Sequence, residues 1–164
     1  LFPDAKNVGL LYCSAEPNSK YQIDEVEKFL KAKGVNTARY PFSDSNDIAA
    51  VTTSAAASSD VIYIPTDNTA ASSTGVIDGI CRPKKVPVVA GEEGICKGCG
   101  VATLSISYYE LGKKTGEMAA KVLKGEEDIS TMAIAYDENY QKKYNTEICK
   151  ELGITPPSDY VAIG

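Results

Sequence analysis

The stretch Val61-Ile62-Tyr63-Ile64-Pro65-Thr66-Asp67-Asn68-Thr69 holds a four-residue apolar run, a proline and four polar residues. An unbroken apolar run of this length reads as a strand buried on both faces. Pro65 ends its hydrogen-bond ladder, because proline has no N–H to donate. The following helix needs one cap, and Asp67 or Asn68 alone would supply it. The turn is therefore more polar than a helix start requires, and the excess asks for another purpose.

Working outward, residues 8–12 (Val8 to Tyr12) form a second apolar run and read as a strand. Asn18 and Ser19 then mark a helix start, with Gln22 placed to complete a capping box on Ser19. Ile23, Val26, Phe29 and Leu30 follow at helical spacing, a stripe that core packing explains, and Gly34 ends the helix. Residues 35–42 read as a weaker strand. The Ser- and Ala-rich segment 45–59 is predicted helical, because parallel strands on either side need a crossover. A single helix is expected over 69–81, then strands over 86–90 and 101–107. Tyr109 to Lys124 carries Leu111, Met118, Val122 and Leu123 on one side and reads as a helix stopped by Gly125. A strand at 132–136 and a short helix ending at Leu152 complete the pattern. Alternating strands and helices predict an α/β fold, a three-layer Rossmann-like domain with a mainly parallel sheet.

Composition narrows the chemistry. The 164 residues are 43% hydrophobic and 24% charged, with a formal net charge of -5, which disfavours nucleic acid as a partner. There is no histidine, so the usual catalytic base and the commonest metal ligand are missing. Five cysteines include one C-x-x-C, Cys96 and Cys99, set among glycines and read as a loop between two strands. Without a second such pair or a histidine pair, neither metal nor another cofactor is expected. A dinucleotide fold lacks its G-x-G-x-x-G here, and a hydrolase lacks its G-x-S-x-G. A phosphoacceptor receiver domain, or a small flavodoxin-like enzyme, is the nearest alternative. The receiver also places an aspartate after its third strand. It further needs an acidic pair after the first strand and a lysine after the fifth, where this chain has Cys13-Ser14 and Tyr108-Tyr109.

In a parallel α/β sheet, ligands sit beyond the carboxyl ends of the strands. Those positions here are Cys13 to Ser19, Pro65 to Thr69, Gly91 to Gly94 and Ser107 to Tyr109. They offer hydroxyls, amides, carboxylates and tyrosine rings, an inventory that suits a small zwitterion. Hydroxyls and helix starts hold its carboxylate, and an Asp or Glu holds its ammonium. Each group alone also has a plain reading, as a helix cap, a solvated loop residue or a packed ring.

The ordered motifs L-F-P-D-A-K-N-V-G-L-L-Y (1–12), P-T-D-N (65–68), A-G-E-E-G (90–94) and Y-Y-E-L-G-K-K-T-G-E-M-A-A-K-V-L-K-G-E (108–126) resemble the substrate-binding proteins of ABC importers, in the group associated with tryptophan and tyrosine. The resemblance runs to about Ile154. It implies a type I periplasmic-binding-protein fold, in which two lobes close on a ligand and deliver it to a permease driven by an ATPase. It also implies an extracytoplasmic location, at the periplasm or cell surface with a lipid anchor in the full-length protein, and no enzymatic activity. On this resemblance the chain is the later part of such a protein. Residues 1–107 form the second lobe, and 108–164 return towards the first. The ligand-facing residues would be Ser14, Glu16, Asn18 and Ser19, then Thr66, Asp67 and Asn68, then Glu92 and Glu93. Asp67 is the expected partner of a ligand ammonium. Family members often carry Asp where this chain has Ser107, and the cysteines of the fourth loop are not typical. Deprived of the first lobe, the 109–124 stripe is expected to dock on the chain's own sheet or on a second copy, giving a homodimer.

Overall fold

A computed structural model describes residues 1–136 and 139–163. The chain divides into two compact units, residues 1–104 with 142–164, and residues 105–141. In the first unit the strands β1 (Asn7–Cys13), β2 (Asn36–Phe42), β3 (Val61–Ile64), β4 (Val88–Ala90) and β5 (Ala102–Ser105) alternate with helices. These are α1 (Pro17–Ala32), α2 (Ile48–Ser58), α3 (Asn68–Ala71), α4 (Thr74–Cys81) and α5 (Glu93–Cys99). The sheet runs β2-β1-β3-β4-β5, then β6 (Gln141–Tyr144) and β7 (Val161–Ala162), and β1 through β5 pair in parallel. The order reverses between β1 and β3. At that switch point the two crossovers diverge to opposite faces and leave a crevice.

The inner strands β1, β3 and β4 are largely apolar because both sheet faces are covered there. On β1, Leu10 and Tyr12 pack with Ile23, Val26 and Leu30 of α1. The alternate residues, Leu11 and Cys13, join the larger core with Ile48 of α2, Ile77 of α4 and Ile95 of α5. Each fully buried Leu or Ile contributes about 1.5–3 kcal/mol. Helix α2 is built mostly of small residues, and Thr52, Ala55 and Ala56 are its buried face beside Ile48. Helix α1 stops at Gly34, whose φ of 76° is a left-handed conformation that glycine adopts without strain.

Several expectations change. The helix foreseen over 69–81 is two, α3 and α4, with Ser72 and Ser73 between them. Serine favours such breaks because its hydroxyl competes for main-chain groups. Cys96 and Cys99 lie on a helix, α5, and not in a loop. Burial of Ile95, Cys96 and Cys99 outweighs the poor helix propensity of Gly94 and Gly98. Ser19 and Gln22 form no capping box: α1 begins at Pro17, and its N-cap, Glu16, makes no side-chain cap bond. Residues 132–136 are not a strand. The sixth strand is instead β6, four mostly polar residues that periodicity does not mark.

The helix α7 (Thr146–Leu152) closes the first unit. Its Ile148 and Cys149 pack on Val101 and Ala102, and the Asn145 N–H donates to the Val101 carbonyl at 3.0 Å. Arg82 after α4 bonds Asp78, Glu147 and Glu151 at 2.9–3.0 Å. Residues 142–164 therefore belong with residues 1–104, which differs from a single cut at 107/108.

The second unit holds α6 (Tyr108–Leu123), which buries none of its residues. Ser107 caps it by accepting the Glu110 N–H. Met118, Val122 and Leu123 of α6, with Ile129, Met132 and Ile134, line a groove of about 620 Å³. The apolar spacing that suggests a strand at 132–136 thus serves this groove.

Candidate functional site at the switch point

The loop after β1 and the turn after β3 are joined by an extensive set of hydrogen bonds. Asp67 stands at the centre, 1% exposed. Its Oδ1 accepts the Ala70 N–H at 2.8 Å, which caps α3, and its Oδ2 accepts the Cys13 N–H at 2.7 Å. One carboxylate therefore ties the end of β1 to the start of α3. Both of its oxygens face main chain and not an incoming ammonium. The expectation for Asp67 is corrected accordingly: a buried carboxylate is stable only when its lone pairs are satisfied, and here the main chain satisfies them.

Glu16 makes the second tie. Its Oε2 accepts from the Asn68 N–H and Nδ2, both at 3.0 Å, and its Oε1 accepts from the Thr69 N–H and Oγ1, both at 2.9 Å. Partial burial opposes its charge, but these four bonds together outweigh that and lower its pKa to about 2. The turn's main chain is gripped from α1 as well. Asn18 Nδ2 and Ser19 Oγ donate to the Thr66 carbonyl at 2.9 and 3.3 Å, and Gln22 Oε1 accepts the Thr66 N–H at 3.0 Å. Ser14 lies on the exposed side, its hydroxyl donating to the Phe42 carbonyl at 3.1 Å. The structure thus brings together Ser14, Glu16, Asn18, Ser19, Thr66, Asp67 and Asn68.

Glu92 and Glu93 are occupied elsewhere. Glu92 caps α5 by accepting the Gly94 N–H at 2.8 Å and the Ile95 N–H. Glu93 pairs with Lys143 of β6 at 2.6 Å. What the fourth loop adds to the crevice is main chain. The Thr66 hydroxyl reaches the Gly91 carbonyl at 3.5 Å, and a Cβ on Gly91 would fall 2.7 Å from the Pro65 carbonyl carbon. Only glycine allows that approach.

Two residues of the network escape a reading of the sequence. Gln22 has the spacing of a capping box and uses it on a distant turn. Thr69 sits beside the expected set, and only its capacity for two bonds to one carboxylate marks it. Cys81 and Cys96 are buried thiols whose pKa burial pushes up to about 12. All five cysteines are free, and among the described residues no group of three or more Cys, Asp or Glu is placed to hold a metal.

A polar rim at the switch point of a doubly wound parallel sheet is the arrangement of an α/β domain that binds small molecules. The chain belongs to the ABC transporter substrate binding protein family, whose pattern it matches over residues 1–162. It is 34% identical over 125 residues to a tyrosine-binding protein of Clostridioides difficile strain R20291, covering 76% of this chain and 36% of that protein. The ligand-free, open structure of a substrate binding protein with adhesive properties from Clostridium difficile superposes with a TM-score of 0.76 at 36% identity, over 99% of this chain and 56% of that one. An ABC domain from Streptococcus pneumonia in complex with L-Trp superposes at 0.88 with 30% identity, over 96% and 53% of the two chains. A conserved domain protein from Vibrio cholerae, 24% identical, shares the fold at 0.89 over 98% and 55%. The chain spans about half the length of these solved relatives.

Proposed function

We propose that this chain is the ligand-binding second half of an ABC-importer receptor for an amino acid with an aromatic side chain. It would work outside the cytoplasm, with a permease and an ATPase as partners, and without catalysis. Family membership supports the receptor class, and the tyrosine and tryptophan named for two relatives support the ligand class.

One observation carries the finer reading. Residues 13–19, 65–69 and 91–94 contain four carboxylates and no Lys or Arg. Asn18 and Asn68 use their Nδ2 groups inward, on Thr66 and Glu16. Their Oδ1 atoms and the exposed Ser14 hydroxyl remain as acceptors, beside the negative charge of the fully hydrogen-bonded Glu16 carboxylate. Such a rim holds an ammonium through charge-assisted hydrogen bonds and repels a carboxylate. This lobe therefore takes the ammonium end of the zwitterion and leaves the carboxylate to the other half of the receptor. Residues 105–141, with an α6 that buries nothing, are the segment which that other half covers. In the isolated chain the same face pairs with a second copy.

The test is a titration of the chain followed by the side-chain amide resonances of Asn18 and Asn68. L-tyrosine and tyramine should both shift them, with affinities in about the high-micromolar range or weaker for half a clamp. N-acetyl-L-tyrosine should not. Equal shifts with the acetylated ligand, or none with any of the three, would overturn the reading.

A further inference from the structure

Cys96 and Cys99 stand one turn apart on α5, 0% and 2% exposed, and the switch-point network uses neither. Their thiols point towards opposite ends of the helix. Cys96 Sγ donates to the Gly100 carbonyl at 3.6 Å, and Cys99 Sγ to the Ile95 carbonyl at 3.4 Å. The main chain between them is held from three sides. Asn145, which caps α7, donates through Nδ2 to the Cys96 and Lys97 carbonyls at 3.2 and 3.0 Å. Towards α4, a Cβ on Gly98 would collide with Thr74 Oγ1, and towards β4, one on Gly100 would fall 3.2 Å from the Ala90 Cβ. The turn has no slack in any of these directions.

We propose that this pair makes folding sensitive to redox state: a Cys96–Cys99 disulfide and helix α5 exclude one another, so the chain reaches this fold only with both thiols reduced. On a helix, side chains three positions apart have Cβ atoms about 5–6 Å from each other, whereas a disulfide needs about 3.5–4.5 Å. Closing that gap would bend the turn, take both sulfurs from their carbonyls and press the main chain into Asn145, Thr74 or Ala90. The unfolded chain imposes no such cost. There the two form the shortest loop that any pair of the five cysteines can close, and closure is easier for shorter loops. A low-molecular-weight disulfide is the oxidant. One thiolate attacks it and releases one thiol, and the second thiolate then displaces the other. The two cysteine protons pass to the released thiols, one S–S bond forms in the chain, and the oxidant's S–S bond is reduced. Once α5 is packed, burial protects the pair: it pushes the Cys96 thiol up to about 12, so little thiolate is present to react. The consequence reaches the crevice through Glu92, the N-cap of α5, and Gly91, whose main chain meets the Pro65–Thr66 turn.

The experiment oxidises the urea-unfolded chain with oxidised glutathione and isolates the species that has lost two hydrogens and carries no glutathione, its Cys96–Cys99 link confirmed by peptide mapping. Diluted out of urea, this species should stay unfolded or show a urea midpoint below about half that of the reduced chain, and dithiothreitol should restore it. A linked species that regains the midpoint of the reduced chain overturns the proposal. The double variant Cys96→Ala, Cys99→Ala, put through the same oxidation, should refold as its untreated form does. A loss as large as that of the wild type would assign the effect to the other three cysteines and overturn the proposal too. Should the double variant fold poorly, the isolated linked wild type and its recovery in dithiothreitol decide alone. Folded first and then exposed to oxidised glutathione, the wild type should keep the pair reduced; linkage as fast as in urea would again overturn the proposal. None of these readouts involves a ligand, so their failure leaves the amino-acid reading untouched.

Discussion

Asp67→Asn separates a structural carboxylate from a ligand-binding one. The wild-type side chain accepts two main-chain N–H groups, from Cys13 at 2.7 Å and Ala70 at 2.8 Å, in a setting that is 1% exposed. Asparagine has one carbonyl oxygen and can keep one of them. The other N–H then faces an amide NH2, donor against donor, with no water to turn to. A buried unsatisfied donor costs about 1–3 kcal/mol, and losing the charge weakens the bond that survives. We expect a total of about 2–3 kcal/mol, most of it from the orphaned N–H. For a chain of this length that lowers Tm by about 5–10 °C. Urea denaturation followed by circular dichroism should show a lower midpoint at unchanged slope. Amide exchange at Cys13 or Ala70 should accelerate well beyond the global change. A loss under about 0.5 kcal/mol, together with weakened binding of tyramine, would show that the carboxylate faces a ligand and that the structural reasoning is wrong.

Other expected outcomes bear on the same region. The Glu16 pKa lies below its unfolded value, so its contribution is complete above about pH 5 and is lost as pH falls towards 2. Glu16→Gln should remove about 1–2 kcal/mol of stability at neutral pH, after allowance for solvent screening, and flatten part of the acid limb of the urea midpoint against pH. Glu27, held low chiefly by the Arg39 hydrogen bond, keeps the remaining limb in that window. The five thiols should resist a disulfide reagent at mildly alkaline pH in the native state and all react in denaturant; prompt native reaction would contradict their burial. Gly91→Ala should destabilise by about 1–3 kcal/mol, because the new methyl meets main chain at 2.7 Å and not a side chain that can turn away; a neutral result in the same urea assay would show that the turn yields.

The inner strands β1, β3 and β4 were legible because burial on both faces leaves little room for polar residues, and the crossover α2 was legible from topology despite its weak pattern. The short helices were harder. Gly94 and Gly98 hide α5, whose existence rests on where Ile95 and Cys99 pack, a tertiary fact that local propensity does not contain. Strand β6 is polar because three of its residues are Gln and Lys, so no alternation announces it. At the site, residue types and strand-end position were enough to gather Glu16, Asn18, Thr66, Asp67 and Asn68. Direction was not available. Whether a carboxylate points outward or into the main chain depends on which N–H groups lie within 3 Å, and only the folded crevice decides that.

The grip on Thr66 has an evolutionary consequence. Ser19, Gln22 and Asp67 hold the turn through its N–H and C=O groups and through those of its neighbours, which every residue possesses. The cradle's shape is consequently indifferent to the identity of the side chains standing on its outer edge. Ser14 and Asn68 are exposed there, and on the proposed function exchanging them would alter what is recognised at the cost, for Asn68, of one side-chain bond to Glu16. On that function, selectivity and foldedness would be under largely separate genetic control, and a lineage built on this lobe would drift from one solute to another by single substitutions without crossing an unfolded intermediate.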